Sequence, residues 1–270
     1  MRVGDEPAFA DRWCGAARRY DRAMILVVTA VDAERDAVVR DLGPGDAIDI
    51  AGLPGIRVEC GAGVVHVVSG GIGPVAAAAT TAVAVATNDY ELVASAGIAG
   101  GFGDRATVGS IVVADRVTFA DLGVLADDGF LDLRAMGLPQ DTSYRLPAEP
   151  ITQRLTAGAV PVTQGQVLTL ACMTGTDAAA EELKHRFPLA LAEAMEGYGI
   201  VEATLRAART PTRVTEIRTI SNLIGRRDRA TWRMSEAFDA LSSALATLFK
   251  EPLPALPALP ALPAMKEPLP

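Results

Sequence analysis

The sequence predicts an α/β protein, a three-layer αβα sandwich around a central twisted sheet that is mixed but mostly parallel. Three observations carry this. Short apolar runs alternate with stretches of helical spacing along most of the chain, the pattern of a sheet crossed over by helices. Glycine-rich turns, Gly70-Gly-Ile-Gly-Pro74 and the cluster Gly97, Gly100, Gly101 and Gly103, follow apolar runs. A composition of 50% hydrophobic and 21% charged residues over 270 positions supports a generous core.

The elements follow in order. Met24 to Thr29 is a β-type run, and Ala30 to Arg40 has helical spacing, with Val31, Val38 and Val39 apolar and Glu34 and Arg35 polar. Asp32 and Glu34 therefore fall at the C-terminal edge of the first strand and in the first turn of the helix, where open α/β sheets place ligands. Gly43-Pro-Gly45 breaks the chain. Residues 56–59 and 64–69 read as antiparallel strands about a turn at 61–63. Pro74 suits the first turn of a helix running to about Thr87. The apolar run from Leu92 reads as a buried strand opening into a glycine loop, whose missing Cβ atoms free the main chain to contact a flat or polar ligand. A strand is expected at 110–114, then a long irregular region at 120–150 suited to a lid or a subunit contact. Beyond it the pattern predicts a helix to about Gly158, a strand at 166–170, a helix at 177–186 and a strand at 189–192. A helix at 197–208, a strand at 214–220 and a last helix at 232–249 complete it.

Residues 24–250 thus form one domain. Residues 1–23 mix Arg2, Arg12, Arg18, Arg19 and Arg22 with acids, lack the apolar centre of a signal peptide, and read as an N-terminal extension. Residues 251–270 repeat Ala-Leu-Pro and are expected to be extended or disordered.

A formal charge of −8 without a long basic stripe argues against a nucleic-acid partner and favours a small-molecule ligand. No run reaches the ~18 apolar residues of a membrane span, so no membrane partner is expected. Cys14, Cys60 and Cys172 are scattered, with only His66 and His185 to help. Neither a zinc site nor a disulfide framework is suggested, and a cytoplasmic location is the expectation.

Three polar groups stand at strand ends: Glu34, Glu196 in Ala194-Met-Glu-Gly197, and Asn222 in Arg218-Thr-Ile-Ser-Asn222. Two carboxylates and an amide suit glycosidic cleavage. One carboxylate can deprotonate water, a second can grip sugar hydroxyls, and the amide can hydrogen-bond a departing heterocycle. Each also has an ordinary structural use, as a first-turn acid, a helix N-terminal charge or a turn residue, and spacing alone does not bring them together.

Ser95-Ala-Gly-Ile-Ala-Gly-Gly101, Ala194-Met-Glu-Gly197 and Arg218-Thr-Ile-Ser-Asn222 follow, in this order, an opening strand that ends in Asp32-Ala-Glu34. Together they resemble the nucleoside phosphorylase and nucleosidase superfamily over roughly residues 24–249, closest to methylthioadenosine/S-adenosylhomocysteine nucleosidases and futalosine hydrolases. The resemblance implies an N-glycosyl hydrolase of purine nucleosides without metal or organic cofactor, working as a homodimer or higher homo-oligomer. Glu34 matches the carboxylate that activates water, and Arg218 an arginine beside that water. Glu196 matches the acid that holds the ribose hydroxyls, with Met195 against the sugar. Ile98, Ala99 and Gly100 match the segment lining base and ribose, Met173 and Thr174 the loop that sandwiches the purine, and Ile72 the contact to the 5′ substituent.

Two departures narrow the expectation. Ser95 stands where phosphorylases of this superfamily carry a phosphate-binding arginine, so water is the expected nucleophile. Asn222 stands where adenine-specific nucleosidases carry an aspartic acid; an amide can donate to the O6 of a 6-oxopurine, which points to hypoxanthine as the leaving group. With the loop Ala120-Asp-Leu-Gly-Val124 and Gly129-Phe-Leu-Asp-Leu133, this resembles the futalosine hydrolase version. The implied reaction cleaves futalosine to hypoxanthine and dehypoxanthine futalosine in menaquinone biosynthesis. Arg226, Arg227 and Arg229 are candidates to meet the carboxylate of that substrate. The competing readings are a methylthioadenosine, S-adenosylhomocysteine or aminofutalosine nucleosidase and a catalytically silent nucleoside-binding protein. A dinucleotide-binding oxidoreductase is set aside because no complete G-x-G-x-x-G occurs.

Overall fold

The structure, a computed structural model, describes residues 22–127, 129–138, 142–257 and 259. Most of the expected N-terminal extension and the end of the tail lie outside the described residues.

The chain opens with β1 (Met24–Thr29) and α1 (Asp32–Arg40), followed by three strands, β2 (Gly45–Ile50), β3 (Leu53–Cys60) and β4 (Gly63–Ser69). Then come α2 (Pro74–Thr87), β5 (Leu92–Gly101), β6 (Ile111–Phe119), β7 (Gly123–Ala126), β8 (Gly129–Asp132) and β9 (Ser143–Arg145). The second half is α3 (Glu149–Thr156), β10 (Val162–Thr169), α4 (Asp177–Arg186), β11 (Ala190–Ala194), α5 (Gly197–Ala207), β12 (Arg213–Leu223) and α6 (Met234–Phe249). The main sheet runs β11-β10-β6-β12-β5-β1-β4-β3-β2, with β9 on β6 and β11 pairing also with β5. Its centre is parallel, as β4-β1-β5-β12, while β2, β3 and β9 pair antiparallel. The sheet is mixed and flanked by helices on both sides, as expected.

Alternation along the central strands divides the core. Ile25 and Val27 of β1 and Ala94 and Ala96 of β5 pack with Val38 of α1, Ile151 of α3 and Leu241, Leu245 and Phe249 of α6. Leu26 and Val28, one position out of phase, pack with Ala77 and Val85 of α2 and Ile200 of α5. A strand buried on both faces reads as an unbroken apolar run, which is why Met24 to Thr29 is legible without polar alternation.

Two expectations change, and one strand is added. Gly97, Gly100 and Gly101 are not in a loop, because β5 continues to Gly101, held by β12 on one side and by β11 at Gly100 and Gly101 on the other, while Gly103 lies in the turn beyond. These glycines admit neighbouring atoms instead: a Cβ on Gly101 would lie 2.5 Å from the Ala106 carbonyl oxygen and 2.7 Å from Ile220. Residues 45–50 form an edge strand whose mostly exposed side chains leave little hydrophobic signal. Residues 120–150 are not wholly irregular, since they hold the β7–β8 hairpin and β9.

The C-terminal end of α6 docks on the turn between β3 and β4. Ala62 donates its N–H to the Phe249 carbonyl at 2.9 Å, and a Cβ on Gly61 would lie 1.8 Å from the Lys250 carbonyl oxygen. From there Leu253 and Leu256, outside any helix or strand, pack against the α6 side of the core. Gly61→Ala is expected to lower stability by about 1–3 kcal/mol, the usual cost of forcing a methyl into filled space. A urea unfolding midpoint unchanged from the parent chain would refute this.

Candidate active site

The first turn of α1 delivers Glu34 to the C-terminal edge of the sheet. Its side chain is 3% exposed. The carboxylate accepts the Ala30 N–H at 2.8 Å on Oε2 and the Ile98 N–H at 2.9 Å on Oε1, so it is anchored to the end of β1 and to β5. Burial raises its pKa above the ordinary carboxylate value. Arg218 and the two N–H donors oppose that shift, and Glu196 adds to it.

Arg218 on β12 reaches the same point from the next strand. The register sets Arg218 opposite Gly97 and Glu216 opposite Ser95, and all four meet on one face. Its guanidinium donates from Nε to Glu216 at 2.8 Å and from Nη2 to the Ser95 hydroxyl at 2.9 Å, while Nη1 lies 3.3 Å from Glu196. Gly97 is the position that permits this: a Cβ there would sit 2.5 Å from Glu34 Oε1 and 2.8 Å from Arg218 Nη1. Burial works against the charge of Arg218, but Glu216, Glu196 and Glu34 outweigh it and raise its pKa.

Glu196 occupies the N-cap position of α5 and is 4% exposed. It accepts the Gly73 N–H at 3.2 Å, which draws the second glycine-rich turn into the same cluster. Gly73 has φ 92° just before the helix that starts with Pro74, a conformation open to glycine and strained for other residues. Three carboxylates, Glu34, Glu196 and Glu216, thus surround the Arg218 guanidinium. Glu216 is fully buried, with Oε1 on Arg218 and Oε2 without a hydrogen-bond partner. Burial raises its pKa against the pull of Arg218.

A second group lies along the same edge of the sheet. Gly100 of β5 stands between Asn222 of β12 and Glu193 of β11. Glu193 is 1% exposed and accepts the Thr174 N–H at 3.1 Å and the Thr174 hydroxyl at 2.5 Å. The preceding loop residues Ala171 and Cys172 donate their N–H groups to Asp121. Asn222 is half-buried, and among the described residues its side chain bonds locally, accepting from the Ser221 hydroxyl and donating to the Leu223 carbonyl.

A model of the phosphorylase superfamily matches residues 24–251. The chain belongs to the phosphorylase superfamily. Among members of this superfamily, it is 45% identical over 230 residues to a futalosine hydrolase of Streptomyces coelicolor, covering 83% of this chain and 94% of that protein. It is 43% identical over 228 residues to a futalosine hydrolase of Acidothermus cellulolyticus, covering 83% and 89%. In fold it is similar to the S-adenosylhomocysteine nucleosidase of Streptococcus pyogenes in complex with 5-methylthiotubericidin. The TM-score is 0.74 at 20% identity, with 86% of this chain and 98% of that one covered.

Within this superfamily fold, Glu34, Arg218 and Glu196 converge, with Ile98, Ala99 and Gly100 on the strand between them and Asn222. Met195 is half-buried beside Glu196; Met173 and Ile72 are 39% and 64% exposed. Arg226, Arg227 and Arg229 are exposed, and Arg227 and Arg229 lie over the Trp232 ring. The sequence reading missed Glu216 and Glu193. Each is a carboxylate inside an apolar strand, Val214-Thr-Glu-Ile217 and Ala190-Leu-Ala-Glu-Ala194, and that break in pattern is the signal that could have marked them.

Proposed function

We propose that this chain hydrolyses the N-glycosidic bond of futalosine, releasing hypoxanthine and dehypoxanthine futalosine as a step of menaquinone biosynthesis. The reading is carried by the 45% identity to a futalosine hydrolase along nearly its whole length. The convergence of Glu34, Arg218 and Glu196 at one sheet edge supports it.

In this reading Glu34 takes a proton from water as the oxygen attacks the anomeric carbon. The carbon–nitrogen bond breaks, its electron pair leaves with the purine, which takes up a proton from solvent, and Glu34 gives its own proton back to solvent. Positive charge on the sugar meets a site rich in carboxylates, and Glu196 holds the ribose hydroxyls with Met195 packed beside it. Arg218 orients the water and keeps the carboxylates compatible. Ile98, Ala99 and Gly100 line the base and ribose, Met173 and Thr174 cover the purine, and Ile72 meets the 5′ group. Asn222 turns from its local bonds to donate to the purine oxygen. The reaction so drawn uses only water and the chain's own side chains. We place the enzyme in the cytoplasm as a homodimer or larger homo-oligomer, with residues 24–250 as the catalytic domain, 1–23 an appended extension and 251–270 a tail. Among the described residues no helix is long and apolar enough to cross a membrane.

Product analysis with futalosine, aminofutalosine and methylthioadenosine, each with and without phosphate, tests this directly. Hypoxanthine from futalosine, unaffected by phosphate, is expected. Adenine release alone would overturn the substrate, and no base release from any of the three would leave a binding protein.

The pH profile follows from the buried carboxylates. A base must be ionised to act, and Glu34 is raised above 4.5. The acid limb of kcat/KM is therefore expected to have an apparent pKa above 4.5, belonging to the coupled group, and to disappear in Glu34→Gln. A limb that persists in that variant would reassign the base. Stability runs the opposite way with pH. Glu34, Glu193 and Glu216 hold protons more tightly folded than unfolded, so their contribution falls as pH rises from 4.5 through their folded values.

A further inference from the structure

Glu193 is a buried charge that the proposed chemistry does not use. It lies three residues before Glu196, between Ala192 and Ala194, which both pack into the core. A carboxylate at 1% exposure is costly unless something compensates it. Thr174 supplies two hydrogen bonds, one to each oxygen. Among the described residues no cation offsets the rest: burial raises the pKa, the Thr174 hydroxyl and N–H oppose it, and Asp121 adds to it.

The register explains where this carboxylate points. Glu193 on β11 and Asn222 on β12 are both paired to Gly100 of β5, from opposite sides. Strand spacing sets their main chains about 9–10 Å apart, with a residue lacking a side chain between them. A Cβ on Gly100 would lie 3.3 Å from Glu193 Cγ, so the glutamate lies along that residue and holds the loop of Met173 and Thr174 beside it. A carboxylate with one lone pair per oxygen already used still has acceptor capacity and, when ionised, nothing to donate. An amide across the glycine can donate.

An acceptor and a donor so placed match adjacent groups on one edge of a 6-oxopurine, its N1–H and its O6. A 6-aminopurine presents the reverse, a bare N1 lone pair and an amino group, and would set two acceptors against each other. Resting on the reading above that a purine nucleoside binds at this edge, we propose that Glu193 is a specificity-determining residue: it accepts the N1–H of a 6-oxopurine while Asn222 donates to O6.

The test is base release from futalosine and from its 6-amino analogue by the full chain and by Glu193→Gln. A glutamine can turn its NH₂ toward the N1 lone pair of an aminopurine. The ratio of kcat/KM values, oxo over amino, is expected to fall by about 100-fold or more, the scale at which polar mismatch discriminates substrates. A merely structural role would lower both rates and leave the ratio in place. A ratio within about threefold of the parent would overturn the proposal. A parent chain that releases no hypoxanthine would sink the hydrolase reading and this inference together, whereas hypoxanthine release with an unmoved ratio sinks only the role of Glu193. Should Glu193→Gln not fold, product inhibition of the parent by hypoxanthine and by 1-methylhypoxanthine decides instead. The methylated base, without its N1–H, is expected to bind at least about 50-fold more weakly, and equal inhibition would refute the contact.

Discussion

Glu34→Gln is expected to bind substrate within a few-fold of the parent and to lower kcat by about 10²–10⁴, the range for removing a positioned general base. The substitution keeps the shape of the side chain and an acceptor for one of its two backbone donors, Ala30 and Ile98. What it removes is the proton acceptor. KM and binding should therefore hold while turnover falls, the pattern of an interaction made in the transition state. Single-turnover rates with parallel measurement of substrate affinity check this. Turnover within about threefold of the parent would take Glu34 out of the mechanism and leave it an anchor between β1 and β5.

Arg218→Leu is expected to destabilise the chain by about 3–5 kcal/mol, the cost of leaving buried charge without its counter-ion. Arg218 is 1% exposed and touches Glu216 and Glu196, which are 0% and 4% exposed. With the guanidinium gone these carboxylates must take up protons or admit water. The deficit should therefore grow with pH and shrink when Glu216→Gln is added, since that removes the deepest carboxyl charge. Urea unfolding of the single and double variants at two pH values measures it. A loss below about 1 kcal/mol, independent of pH, would mean that the carboxylates are already neutral in the parent chain.

Glu216 and Ser95 explain why a lone arginine can sit here. They take its Nε and Nη2, leaving Nη1 for the side where Glu196 and Glu34 lie. Glu216 is a positioning residue for Arg218, and Gly197, where a Cβ would lie 2.3 Å from Glu216 Oε2, leaves its side chain room.

The sequence by itself determined the alternation of strands and helices, because strands such as β1 and β5 are buried on both faces and so read as apolar runs. It also determined the strand-end carboxylates Glu34 and Glu196, since polar residues at the end of an apolar run stand out. Edge and hairpin strands were less legible: β2, β7 and β8 carry mostly exposed side chains, and their pairing comes from backbone hydrogen bonds that residue type barely encodes. Only the tertiary structure decided that Gly97, Gly100 and Gly101 are strand rather than loop, that Gly97 is the gap through which Glu34 and Arg218 meet, and that Glu193 and Asn222 pair with Gly100 from opposite sides. Those facts depend on register between strands distant in sequence. Register is set by the packing of the whole sheet, so no local pattern of residues contains it.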